Sequence, residues 1–289
     1  LKPINDLSSQ DQWEDVWTGN EVETCGQIDI GARGFDRDLY AFIRDPLLAS
    51  GGGRFLELGC YPGKFMRLFA EHGGYEVSGL EYVESCVEPT EKLLRQVGVE
   101  STVSHGDFRT WHSAEQWDLV ASFGLIEHFD ETRDVLEHHA RFARDGGCVL
   151  VTFPLHCGIY GRIMAWAAPD RLAQHNRMSL EDAVAAAKAS SCLTVVKAGY
   201  LGRFGFGATR LRRKIDRLFS GSRLALGLPL RITERIGRMV APNTRTLSPY
   251  AAMIARVNHT GRCHADGLAS EGSTCVQSGR FAATSSGPK

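Results

Sequence analysis

The stretch Arg54-Phe55-Leu56-Glu57-Leu58-Gly59-Cys60-Tyr61-Pro62-Gly63-Lys64-Phe65-Met66 decides the fold. Its first five residues read as a short buried strand, and residues 64–71 resume the 3.6-residue spacing of a helix. Between them, Gly59 and Gly63 permit a tight turn and a close backbone approach to a ligand. The helix start adds unpaired N–H groups at the same point. The turn matches neither the dinucleotide pattern G-x-G-x-x-G nor the phosphate loop G-x-x-x-x-G-K-S/T.

Working outward, the strand–helix alternation continues. Residues 36–48 carry Leu39, Phe42, Ile43 and Leu47 at helical spacing, and Gly51-Gly52-Gly53 ends that helix. Strands are expected at 75–80, 102–104, 118–123 and 148–153, with helices at 83–97 and 132–144. Ser179 caps a helix over Leu180–Ala189, and further strands are expected at 193–198 and Tyr250–Val257. Seven strands alternating with helices imply right-handed crossovers and an α/β, doubly wound, mostly parallel sheet covered on both faces.

Three further segments carry chemistry. Glu81 follows the second strand, where a carboxylate can accept both hydroxyls of a ribose, although a solvated acid is the plainer reading. Gly106-Asp107-Phe108 follows the third strand, with Asp107 able to accept from an adenine amino group and Phe108 able to flank the ring. A simple Gly-Asp turn is the alternative. The fourth strand runs into Phe123-Gly124-Leu125-Ile126-Glu127-His128-Phe129. His128 sits where the substrate cleft of such a sheet opens. An imidazole there can take a proton or merely order the loop.

In this order and spacing, the four segments resemble class I S-adenosylmethionine-dependent methyltransferases, especially the group acting on small molecules. The family's glycine turn corresponds to Glu57-x-Gly59-x-Tyr61-x-Gly63, its ribose-binding acid to Glu81, and its adenine-side acid to Asp107. Its Ile-Glu-His loop falls on Ile126-Glu127-His128. Tyr61 replaces the middle glycine. The resemblance implies a Rossmann-like methyltransferase fold and S-adenosyl-L-methionine as cofactor. It places cofactor contacts at Glu57, Gly59, Cys60, Gly63, Glu81, Tyr82, Asp107, Phe108 and Ser122, with His128 as the catalytic candidate. The expected organisation is an N-terminal helical lid or arm over 1–35 and a methyltransferase domain over 36–259. A basic helical insert occupies 203–247 of that domain, and a disordered tail spans 260–289. Trp13 and Trp17 are either part of that lid or an aromatic stripe packed on the sheet edge, the latter being the commoner use of such spacing.

The net charge of −1 conceals an asymmetry. Residues 203–240 hold ten basic and two acidic side chains, a local +8 against −9 for the remainder. Leu211, Ile215, Leu218 and Phe219, then Ile232, Ile236, Met239 and Val240, give two amphipathic patterns within it. The plainest reading packs both stripes on the core with a solvated arginine face. The functional readings are an anionic acceptor, an anionic membrane surface or RNA phosphates. Eight scattered cysteines contain no Cys-x-x-Cys pair, so no metal site is expected. No apolar run reaches the length of a membrane span, and the chain is expected to be cytoplasmic with a peripheral membrane contact as a refinement. The expected activity is O-methylation of a small molecule, sugar-, phosphate- or lipid-linked. Alternatives are RNA methylation or a binding subunit without turnover.

Overall fold

The computed structural model describes residues 4–18, 24–49, 51–206, 209–211, 214–215 and 223–259. The expected tail and most of the first basic helix lie outside the described residues. Seven strands form one sheet: β1 (Arg54–Leu58), β2 (Glu76–Glu81), β3 (Ser101–His105), β4 (Trp117–Phe123), β5 (Ala143–Pro154), β6 (Leu193–Leu201) and β7 (Tyr250–Val257). Their order is β3-β2-β1-β4-β5-β7-β6, parallel except for β7, which runs antiparallel to both neighbours. The order reverses between β1 and β4. At such a switch point the crossovers leave in opposite directions and a crevice opens beyond the strand ends.

Helices cover both faces. The described ones are α1 (Gln10–Thr18), α2 (Phe35–Ile43), α3 (Lys64–Gly73), α4 (Val87–Gln96), α5 (Thr132–Ala140), α6 (Ile159–Ala167), α7 (Pro169–Leu172), α8 (Leu180–Ala189) and α9 (Arg223–Val240). The apolar stripes of α2 and α3 supply Leu39, Ile43, Met66 and Phe69 to one core, beside Phe55 and Leu150. A second core on the opposite face joins Leu56, Val120, Val149 and Val151 to Leu136 and Ala183. Burying one such aliphatic side chain contributes about 2 kcal/mol, so each face is held by many small terms.

Several boundaries differ from the sequence expectation for local reasons. The helix expected over 83–97 begins as a 3-10 turn at Glu84–Cys86 before α4. The helix from Thr132 stops at Ala140, because Ala143 already pairs with Trp117 as β5. Gly147 permits that long strand: a Cβ there would lie 2.9 Å from the Arg144 carbonyl oxygen and 3.0 Å from that of Asp118. The short helices α6 and α7 carry Tyr160, Met164 and Leu172 inward.

The largest reversal concerns α9. Its apolar stripe does not pack on the core: Ile232, Ile236, Met239 and Val240 are 48% to 74% exposed. Among the helix side chains described, residues 229–240, the buried one is Glu234, whose carboxylate accepts the Phe206 N–H at 2.7 Å. The connection bearing this helix leaves the sheet at Leu201 and returns at Tyr250, two residues paired across β6 and β7.

Candidate active site

The C-terminal ends of β1, β2, β3 and β4 surround a cavity of about 400 Å³. Its floor is the glycine turn. Gly59 takes φ +72° after β1, and Gly63 takes φ +91° at the start of α3, conformations that side chains disfavour. At Gly63 a Cβ would also stand 2.9 Å from Leu94 Cγ, so space as well as φ demands glycine.

Two buried carboxylates fix this floor. Glu81 Oε2 accepts the Tyr61 N–H and Oε1 the Val83 N–H, each at 3.0 Å, tying the turn to the end of β2. Burial raises its pKa, and these N–H bonds oppose that rise. Glu57 is buried more completely. Desolvation raises its pKa well above the ordinary carboxylate value, against one bond from the Met66 N–H. Its Oε2 is buried with no hydrogen-bond partner.

Asp107 is held by a charged fork: Arg109 donates from Nε and Nη2 at 2.7 to 2.9 Å, and the Arg109 N–H adds a bond at 2.9 Å. The same guanidinium lies 3.6 Å from Asp6 and faces the Phe129 ring. Lys64, also on the cavity wall, is paired with both Asp36 oxygens at 2.8 Å. Arg109, Asp6 and Lys64 were not singled out in the sequence. Only Lys64, the first residue after the glycine turn, carried a positional signal.

Of the expected cofactor contacts, Glu57, Gly59, Cys60, Glu81, Tyr82, Asp107 and Phe108 line the cavity, with Gly63 in the turn beneath. Ser122 is the exception. It is fully buried, and its hydroxyl is bonded at 2.9 Å to His139 Nε2 rather than turned to the cavity. His139 lies on α5 with its Nδ1 bonded to the Val135 carbonyl, so the pair fastens α5 to β4.

The N-terminal arm closes the opposite side. The Leu7 N–H bonds the His128 carbonyl at 2.8 Å, and Asp6 bridges to Phe129. Trp13 and Trp17 of α1 both line the cavity, Trp13 against the His128 ring at 4.5 Å and Trp17 against Tyr61 at 5.1 Å. The two tryptophans therefore face the cavity rather than a sheet edge.

His128 lies behind Trp13, in a 3-10 turn at Ile126–His128, and is not itself on the cavity wall. Its Nδ1 is hydrogen-bonded to the Ser8 hydroxyl at 2.8 Å. Burial, helped by His175, lowers its pKa to about 3, so the ring is neutral at neutral pH. Desolvation pushes the adjacent Glu127 up to about 8. Ring contacts continue from His128 to His175 at 4.6 Å and from His175 to His156 at 5.0 Å.

Residues 34–191, more than half of the chain, match a family described as "Methyltransferase domain". No curated protein matches the sequence. Among solved structures, a Galdieria sulphuraria protein described as a sarcosine dimethylglycine methyltransferase is 16% identical, with a TM-score of 0.53, covering 86% of this chain and 97% of its own. The [4+2]-cyclase SpnF is 14% identical at TM-score 0.55, over 79% of this chain and 88% of its own. Coclaurine N-methyltransferase, bound to N-methylheliamine and S-adenosylhomocysteine, is 14% identical at TM-score 0.50, over 75% and 71%. At these identities the likeness extends to the fold.

The cavity fits the family's cofactor: Glu57 has an unpartnered buried oxygen suited to an ammonium group, and Glu81, Asp107 and Phe108 line the same wall. The chain belongs to the methyltransferase domain family and is an S-adenosyl-L-methionine-dependent methyltransferase.

Proposed function

We propose that this enzyme methylates a hydroxyl oxygen of a small molecule bearing an anionic group, on a sugar-, phosphate- or lipid-linked scaffold. The observation that carries the reading is a second hollow of about 440 Å³, lined by Arg171, Arg210 and Lys214 together with Asp170 and the 167–169 segment. Arginine forks and a lysine ammonium match phosphate or carboxylate oxygens. A series of rings links this hollow to the cofactor cavity. The Arg171 carbonyl holds His175 at 2.6 Å, His175 packs on His128, and His128 packs on Trp13.

When bound, the cofactor supplies a methyl group on a sulfonium, which passes to the acceptor oxygen as the hydroxyl proton is lost to water. The chain's task is to align that oxygen and keep water out. In this reading α1 serves as the lid, with Trp13 and Trp17 covering the methyl donor. The Ile126–His128 turn, behind Trp13, orders the acceptor side of that lid.

Incubation with methyl-labelled cofactor and an extracted metabolite pool should place the label on an anionic, oxygen-methylated product. Arg171→Ala and Lys214→Ala should each raise KM about tenfold with kcat nearly unchanged, the size of one charge-assisted contact. Label confined to neutral amines would reject the proposal. A second reading, peripheral contact with an anionic membrane, is favoured by the exposed Ile232, Ile236, Met239 and Val240 beside the exposed Arg231 and Arg235. Co-sedimentation with vesicles containing anionic lipid should be lost in Ile236→Asp; equal binding by that variant removes this reading. No helix among the described residues is long and apolar enough to cross a membrane.

A further inference from the structure

We propose that Glu127, His128 and His175 form a binding site for a divalent transition-metal ion, of the zinc class, behind the Trp13 wall of the cavity. One ligand atom from each of these side chains lies within 4.8 Å of the other two, and Glu127 Oε1 stands 4.0 Å from His128 Nε2.

Four observations build the site. Glu127 and His128 are almost wholly buried, and Glu127 Oε2 has no hydrogen-bond partner although water does not reach it. A buried carboxylate oxygen left unbonded is costly, and a cation in the cluster would satisfy it. Both imidazoles are already oriented through their other nitrogen. His128 Nδ1 meets the Ser8 hydroxyl at 2.8 Å, and His175 Nδ1 meets the Arg171 carbonyl at 2.6 Å. The Arg171 carbonyl can only accept, so it holds the proton on His175 Nδ1 and leaves the Nε2 lone pair of that ring for a ligand, while His128 is oriented by the Ser8 hydroxyl and the Gln174 backbone.

The two backbone segments that carry the ligands are clamped together. Asn176 donates its backbone N–H to the Glu127 carbonyl at 2.6 Å, and its side-chain amide reaches the Phe129 and Asp130 carbonyls, each at 3.1 Å. His156 buttresses the far side of His175, ring against ring. The triangle is slightly wide. An ion at the centre of a triangle with that longest edge would stand roughly 2.8 Å from each donor, and zinc bonds of about 2.0–2.2 Å require shifts well under 1 Å per side chain.

Two imidazoles and one carboxylate select zinc-like ions over magnesium or calcium, which prefer oxygen ligands. Three protein ligands also leave one coordination position open. What the ion would do there rests on the proposed function: held by Glu127, His128 and His175, it would supply Lewis-acid polarisation to an acceptor hydroxyl reaching its open position. The sequence expectation of no metal came from cysteine spacing. These ligands instead come from an adjacent pair and a residue brought in by the loop after α7.

The test uses the full chain after chelator treatment, titrated with Zn2+ by calorimetry and with Co2+ by visible absorption. The expected result is one equivalent bound with micromolar or tighter affinity, and Co2+ bands of a four-coordinate nitrogen–oxygen site. Glu127→Gln and His175→Ala should each weaken binding at least tenfold while S-adenosylhomocysteine binds both variants as it binds the wild type. That second measurement certifies the fold, and His175, being partly exposed, is the safer substitution. Wild-type protein that binds neither ion overturns the proposal, as do variants that bind metal undiminished. Metal binding without methyl transfer to any hydroxyl acceptor upholds the site and rejects only the role assigned above.

Discussion

The floor of the cavity and the turn behind its Trp13 wall are held by different kinds of bond. In the floor, carboxylates take backbone N–H groups at most 20 residues away: Glu81 grips those of Tyr61 and Val83, and Glu57 takes that of Met66. Behind Trp13 the contacts join distant segments through side chains: Ser8 to His128, His175 to His128 and Asn176 to the turn after β4. The first kind suits a ligand shared by a whole family, because a backbone turn survives wide change in side chains. The second suits a ligand that differs between relatives, since each partner can change separately.

Four measurements can break or sharpen this contrast, beginning with the largest effect. Gly63→Val should lower unfolding free energy by about 4 kcal/mol, combining the penalty of positive φ with the collision against Leu94. Denaturant unfolding checks it, and a loss below 1 kcal/mol would mean that the turn is plastic.

Next is a pH effect at His139, which fastens α5 to β4. Burial lowers the pKa of His139 to about 4, so the unfolded chain binds a proton below its usual 6.5 that the folded chain refuses. The contribution of His139 to stability should therefore be complete above pH 6.5 and fall by about 3 kcal/mol as pH drops to 4. His139→Gln should flatten that slope by roughly one proton. An unchanged slope would show that other groups dominate.

Glu81→Ala should weaken S-adenosylhomocysteine binding about 100-fold by calorimetry, the size of two hydrogen bonds to a charged group. Retained affinity would move the ribose contact elsewhere. Trp13→Ala should weaken it only about tenfold, because Trp13 contributes burial at the cavity wall rather than a charged contact. If Trp13 proves the more damaging substitution, the distinction between a fixed floor and an adjustable wall fails.

The same distinction explains what could be read in advance. The sheet, its crossovers and the glycine turn follow from periodicity and spacing over short windows, and Glu81 and Asp107 follow from their positions at strand ends. Asp6 was not legible because its partner Arg109 lies far along the chain, and Arg109 because position alone does not say which side chain claims Asp107. Ser122 was misplaced because strand alternation turns its hydroxyl toward His139, away from the cofactor. The α9 stripe was legible as a pattern, but periodicity identifies an apolar face without saying what it meets. Here the surrounding chain buries Glu234 instead.

The pairing of Leu201 with Tyr250 has a consequence for how such an enzyme could diversify. The chain departs from the sheet and re-enters it at adjacent rungs, so the intervening excursion is closed by the hairpin whatever its length. Closure entropy grows only slowly with added residues, about 0.6 kcal/mol per doubling. Recombination at these two rungs could exchange the whole basic element as a cassette and leave the methyl-donor pocket in register.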